Sequence, residues 1–262
     1  MGTAAVALPL LVLQLFKAPP MATVAFLAVA CAIGLWELFA LLGAGGLAPF
    51  RVVGAACTAV LFLSIAEPGL LVAPVLPAIT VAIAAAALHR VKERFTSVPS
   101  AAATLLAAAY VGALGGTIAA LRVLPPAEDG AWRVLLLLAI VMTSDTFAYF
   151  AGSAFGRHKL APRISPGKTV EGLAGGLAGG IVAALVVHRL GLPEIPALAA
   201  VALGIVVSAF GVTGDLVESL MKRWSGVKDS GRLFPGHGGM LDRLDSLLFG
   251  APVLYYYFLY AR

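Results

Sequence analysis

Long apolar runs, separated by short polar or Pro/Gly-rich connectors, repeat along the whole chain. About 17–25 apolar residues suffice for an α-helix to cross the hydrocarbon core of a bilayer. Windows near 20–42, 50–66, 68–88, 100–121, 131–151, 172–190, 196–217 and 243–261 fit that length. The opening run 4–16 is shorter, contains Pro9 and lacks the basic segment that precedes the apolar part of a cleaved signal peptide, so it reads as a retained, partial or tilted span. The pattern predicts an all-α polytopic integral membrane protein of about nine transmembrane helices joined by short loops.

Composition narrows this further. The chain is 61% hydrophobic and only 12% charged, with a mean hydropathy of +0.99, which leaves no room for a hidden soluble domain. Cys31 and Cys57 both fall inside apolar runs, so neither a disulfide framework nor a cysteine metal site is expected. The placement of the cations matters more than the net charge of +5. If the N-terminus is cytoplasmic and all nine windows cross, thirteen Lys and Arg residues lie inside and five (Lys17, Arg122, Arg133, Arg189 and Arg262) outside. That asymmetry obeys the positive-inside rule and puts the polar loops on the cytoplasmic side.

The two parts of the chain differ in chemistry. Residues 1–130 read as N-terminal membrane helices that serve as scaffold and leave room for a homodimer contact, and 131–262 as a C-terminal catalytic region. In the first part Glu37 is the only mid-span acid. An ionisable group in a span is a functional candidate, yet with Trp36 beside it and no second acid nearby, a hydrogen-bonded structural role is the preferred reading. The basic segment His89–Arg94 reads first as a topology determinant. In the second part Gly172, Gly176 and Gly180 recur every four residues, a small-xxx-small face that lets another helix approach closely.

Membrane packing does not explain Ser219–Asp245, which concentrates Lys222, Arg223, Lys228, Asp229, Arg232, Asp242, Arg243 and Asp245 between apolar runs. Asp215, Glu218 and Lys222 share a helical face at i, i+3 and i+7, and Asp242 and Asp245 are spaced i, i+3 at the next helix. Because the connection between two antiparallel spans returns the chain to the same side, both groups lie at one membrane depth. Converging carboxylates suit a hard divalent cation such as Mg²⁺. Spacing alone leaves open the simpler pairing of Asp215 with Lys222 and Asp242 with Arg243. Gly167-Lys168-Thr169 is not a P-loop, because Pro162 stands where the Walker pattern needs glycine. The Gly-rich segment Pro235–Gly239 offers flexible backbone whose N–H groups can approach a phosphate.

Written S-x-M-K-R-x4-K-D-x-G-x2-F-P-x-H-G-G-M-x-D-R-L-D, residues 219–245 resemble the C-terminal signature of the phosphatidate cytidylyltransferase (CDP-diacylglycerol synthase) family. The D-T-x-A-Y element at 145–149, S-P-x-K-T at 165–169 and E-G at 171–172 resemble it as well, while Ser153 and Gly167 stand where the family is associated with basic residues. The resemblance implies transfer of the cytidylyl group of CTP to phosphatidic acid, giving CDP-diacylglycerol and pyrophosphate, with Asp215 and Asp242 as Mg²⁺ ligands and room for a second ion. On this reading the catalytic set is Asp215, Asp242 and Lys222. The expected substrate contacts are Ser165, Lys168, Thr169, Arg223, Lys228, Asp229, His237, Gly238, Gly239 and Arg243. The role of His237 stays open among ligand, proton carrier and turn donor.

The partners implied are CTP, phosphatidic acid and membrane lipid, with no nucleic acid, and the expected location is the inner (plasma) membrane of a bacterium. The alternatives are another CTP-using membrane enzyme, a polyprenol kinase or a cytidylyltransferase for a different lipid phosphate, and an ion-coupled transporter. A transporter should show repeat-related broken helices, and the sequence has no internal repeat.

Overall fold

Long apolar runs in lipid satisfy their backbone polar groups only by coiling into helices, and the computed structural model of the chain is built accordingly. It describes residues 2–67, 74–89, 94–231 and 238–261. The helices are α1 (Gly2–Lys17), α2 (Pro20–Ala44), α3 (Arg51–Ala66), α4 (Val75–Leu88), α5 (Arg94–Ala107), α6 (Leu114–Val123), α7 (Gly130–Phe155), α8 (Val170–Gly191), α9 (Ala197–Trp224) and α10 (Leu241–Tyr260). A π turn, Ala108–Ala113, joins α5 to α6, so the window near 100–121 belongs to one longer helix.

The protein is an all-α membrane protein. Among the described residues five helical stretches are long and apolar enough to cross a bilayer: Pro20–Ala44, Thr96–Val123, Ala127–Phe155, Val170–Gly191 and Ala197–Trp224. The other elements differ from the expected windows in informative ways. α1 and α3 have 16 residues and α4 has 14, which at about 1.5 Å per residue gives ~21–24 Å against a hydrocarbon core of about 30 Å. The window 68–88 is helical from Val75, and its residues 68–73 lie outside the described residues. α10 has 20 residues but opens with Asp242, Arg243 and Asp245. The outer surface carries side chains such as Val52, Leu88, Val98 and Leu198, more than two-thirds exposed, as lipid-facing positions require.

One hydrophobic cluster runs through both parts of the chain, from Leu35 and Leu38 on α2 through Leu137 and Ile140 on α7 to Leu241, Leu248 and Leu254 on α10. The glycine face of α8 does what its spacing suggested. Gly172 and Gly176 lie against Ala148, Ser144 and Gly152 of α7, and Gly180 lies against Gly204 and Ser208 of α9. α8 is thereby held between α7 and α9.

The two ends of the bundle are fastened by different contacts. Gly45, just past α2, packs on the Trp224 ring at the end of α9. At the opposite end Arg122 donates to the Leu15 carbonyl at 3.3 Å, and Arg133 pairs with Asp129 at 3.1 Å.

The connection between α7 and α8 departs from the all-helical expectation. Lys159–Ala161 (β1) and Ser165–Thr169 (β2) form a two-stranded antiparallel hairpin, with Lys159 opposite Thr169 and Ala161 opposite Ser165. Pro162 and Pro166 disfavour helix here. Glu171 fastens the hairpin base, accepting from the Arg157 and His158 amides at 3.1 and 3.2 Å and meeting His158 Nδ1 at 2.6 Å.

Close approach at Gly180 generates a stability prediction. A Cβ there would overlap Ser208 and come within 2.8 Å of the Gly204 carbonyl, a backbone atom that cannot swing away. Gly180→Val should destabilise the protein by about 1–3 kcal/mol, the usual cost of overpacking. Gly43→Ala, where nothing lies within 4 Å, should be neutral or slightly stabilising. Thermal unfolding in detergent compares the two.

Candidate active site

α9 has 28 residues, about 42 Å of helix at ~1.5 Å per residue, so it outruns a hydrocarbon core of about 30 Å. Its last turns, which carry Asp215, Glu218, Lys222 and Arg223, lie beside the start of α10 and the β-hairpin. Three segments distant in sequence therefore present their charges to one another.

The pairing is cross-element rather than within one helix. Lys168 Nζ, from β2, meets Asp215 Oδ2 at 2.6 Å. Lys222 Nζ bridges Glu218 Oε2 at 2.9 Å and Asp242 Oδ1 at 2.5 Å. The pairs suggested by spacing, Asp215 with Lys222 and Asp242 with Arg243, are thus replaced: at i, i+7 Lys222 is drawn instead to Glu218 one turn back and across to α10. Glu218 is fully buried and Asp245 nearly so. Asp145 on α7 and Asp245 on α10 both lie within electrostatic reach of Asp215.

Asp242 is held from several sides. Its Oδ2 accepts from the Gly239 amide at 2.7 Å, the Ser230 amide at 3.1 Å and the Ser230 hydroxyl at 2.6 Å. Gly238 adopts φ +79°, a conformation that glycine reaches without strain; a Cβ there would come within 2.5 Å of Asp242 Oδ2. The Gly-Gly pair therefore closes a turn around the Asp242 carboxylate.

The other anticipated residues take varied places. Thr169 is buried and its hydroxyl accepts from the Gly172 amide at 3.0 Å, capping α8. Ser165 opens β2 opposite Ala161. Arg223 Nε donates to the Ile164 carbonyl at 3.2 Å, tying the hairpin to α9. Lys228, Asp229 and Arg243 are exposed. His237, with Arg232 and residues 90–93 of the basic segment, lies outside the described residues. Gly167 faces open space, with nothing within 4 Å of where a Cβ would be, so packing does not dictate the absence of a basic side chain there.

Three residues that sequence reasoning did not place in the site are brought to it. Ser230 holds Asp242. Tyr110, on the π turn, lies within electrostatic reach of Asp215, Glu218 and Asp245. Glu37, from α2, accepts from the Leu241 amide at 2.8 Å; its isolation as a mid-span acid was the available signal.

The model of the Cytidylyltransferase family matches residues 1–261. The chain belongs to that family. Among curated relatives, phosphatidate cytidylyltransferases from Bacillus subtilis (strain 168) and Staphylococcus saprophyticus are 42% identical over 151 residues and 44% identical over 163 residues. These matches cover 58% and 62% of this chain and 55% and 60% of the relatives. An Escherichia coli (strain K12) protein named "Uncharacterized protein YnbB" is 47% identical over 133 residues, covering 51% of this chain and 44% of that protein. The chain thus spans 44% to 60% of the length of these relatives.

The bridge at Lys222 in this cytidylyltransferase-family fold carries its own prediction. Removing the cation leaves Glu218 buried without its counter-charge, which typically costs about 3–5 kcal/mol. Lys222→Met should therefore lower the thermal stability markedly, and Glu218→Gln in the same chain should restore a good part of it. A double-mutant cycle by thermal unfolding gives the coupling directly.

Proposed function

We propose that the protein transfers the cytidylyl group of CTP to phosphatidic acid. The observation that carries this reading is the convergence of Lys168–Asp215 and Lys222–Asp242–Glu218 from the hairpin, α9 and α10 at one end of the bundle, in a chain of the Cytidylyltransferase family. A membrane site suits substrates of opposite solubility: the lipid can enter laterally with its acyl chains in the bilayer while the nucleotide arrives from water.

The reaction needs no protein nucleophile. The phosphate monoester of phosphatidic acid, with a second pKa of about 6, is itself the attacking group. Its oxygen bonds to the α-phosphorus of CTP, the bond from that phosphorus to the bridging oxygen of the β-phosphate breaks, and pyrophosphate leaves with the electron pair. The protein's work is in-line positioning and neutralisation of charge. Lys168 and Lys222 supply point charges and Arg223 a planar fork for phosphate oxygens.

Mg²⁺ fits the donor set. Such an ion takes one or two carboxylates and completes its shell with water and substrate phosphates. Asp215 and Asp242 offer hard oxygens from adjoining helix ends, and among the described residues Asp215 Oδ1 meets the Ser219 hydroxyl at 3.3 Å. Among the described residues no group of three or more His, Cys, Asp and Glu is arranged to hold a metal by itself; on this proposal water and substrate phosphates would complete the shell. When bound, the ion would neutralise triphosphate charge as the pyrophosphate departs.

The site is further proposed to face the cytoplasm of a bacterial inner membrane. Support comes from the clustering of Lys168, Lys222, Arg223 and Lys228 at one end of the bundle and the positive-inside rule. In a chain with Cys31 and Cys57 replaced, Gly167→Cys should react with a membrane-impermeant thiol reagent in inverted vesicles and not in intact cells.

Incubation of the purified protein in detergent with Mg²⁺, phosphatidate and each nucleoside triphosphate tests the activity. CDP-diacylglycerol and pyrophosphate should form with CTP alone. Phosphorylation of a polyprenol, or absence of nucleotidyl transfer to phosphatidate, would overturn the reading. Asp215→Asn and Asp242→Asn should each lose about a hundredfold or more in turnover, the loss of roughly 2.7 kcal/mol of transition-state stabilisation. Because both serve one ion, the double variant should fall far short of the multiplied losses.

A further inference from the structure

α10 begins at Leu241 with a local deficit. The first turn of a helix has backbone N–H groups with no partner inside the helix, and Met240, at the N-cap position, supplies no side-chain acceptor. Glu37 makes good part of that lack, while Asp242 ties down the segment just before the helix. Asp242 takes the Gly239 and Ser230 amides. Glu37 Oε2, reaching from α2 across 204 positions of sequence, accepts from the Leu241 amide at 2.8 Å. The Ser230 hydroxyl stands between the two, 2.6 Å from Asp242 Oδ2 and 3.4 Å from Glu37 Oε2.

A second observation points the same way. A Cβ on either Gly231 or Gly239 would overlap the Glu37 carboxyl group, so both glycines leave the room that this side chain fills. Glu37 is buried at 7% exposure, which removes it from contact with a water-borne substrate. What remains for it is to fix the backbone that carries Asp242.

We infer that Glu37 is a positioning residue, a cap supplied by α2 that holds the 238–242 turn and thereby aims the Asp242 carboxylate at the site. For catalysis the inference rests on the proposed cytidylyl transfer; for the cap itself it does not. A side chain that accepts from the Leu241 amide and the Ser230 hydroxyl and lies against Gly231 and Gly239 has little freedom to be replaced. Misplacement of a reacting group by about 1 Å can cost on the order of a hundredfold in rate, so this remote contact has leverage on turnover.

The test uses two substitutions that separate reach from charge. Glu37→Gln keeps the length and an acceptor oxygen; Glu37→Asp keeps the acid but falls one methylene short of the Leu241 amide. Hydrogen–deuterium exchange in detergent reads the cap without reference to activity. Exchange at the Leu241 amide should match the parent in Glu37→Gln and quicken about tenfold or more in Glu37→Asp, as expected when a buried hydrogen bond is lost. In the CTP assay Glu37→Asp should lose about tenfold or more in kcat, with KM for CTP within about twofold. Glu37→Gln should stay within about threefold of the parent, a gap under ~0.7 kcal/mol.

Equal protection of Leu241 in the parent and Glu37→Asp would overturn the inference, as would parent-like kcat in Glu37→Asp. Equal losses in both variants, or a loss in Glu37→Asp that only follows the fraction of folded protein, would overturn it too. Should the parent make no CDP-diacylglycerol, the proposed function falls, while the exchange comparison still decides the cap.

Discussion

Charge at the edge of a bilayer is tolerated only when each charged group meets an opposite charge, a backbone donor or water, because the desolvation cost is otherwise several kcal/mol per ion. The end of α9 and the start of α10 are shaped by that constraint. Glu218 is buried because Lys222 reaches it, and Lys222 can sit there because Asp242 stands opposite. Asp242 in turn accepts from Ser230 and Gly239. Each group is acceptable only in the presence of the next, so the arrangement is held as a set.

Close helix packing is what brings the set together. The glycine face of α8 lets α7 and α9 approach to backbone contact at Gly176 and Gly180, which places β2 and Lys168 against the Asp215 face of α9. The hairpin is secured at both margins, by Glu171 at its base and by Arg223 on Ile164.

The first part of the chain contributes more than lipid-facing bulk. It shares the hydrophobic cluster with α7 and α10, and through Glu37 it touches the turn at which α10 starts. Gly231 and Gly239 make space for that side chain, so features of the polar segment that look local are conditions set by a distant helix.

Much of this was legible from the order of residues. Apolar runs of sufficient length dictate membrane helices because lipid offers no other way to satisfy the backbone. The four-residue recurrence of Gly172, Gly176 and Gly180 implies a close helix contact because side-chain direction repeats with the helical turn. The polar signature and the carboxylates at i, i+3 announced the site. What sequence could not decide was partner choice. Spacing left open the pairing of Asp215 with Lys222 and Asp242 with Arg243; the structure joins Lys168 to Asp215 and Lys222 to both Glu218 and Asp242, because a long flexible ammonium can reach carboxylates on neighbouring elements as well as on its own helix. Likewise the hairpin at 159–169 replaces an expected loop, and Glu37 is a lone acid in sequence yet lies 2.8 Å from the amide of Leu241. Periodicity is a property of one helix and can be read along the chain; which end meets which depends on how the helices pack, and only the tertiary structure settles it.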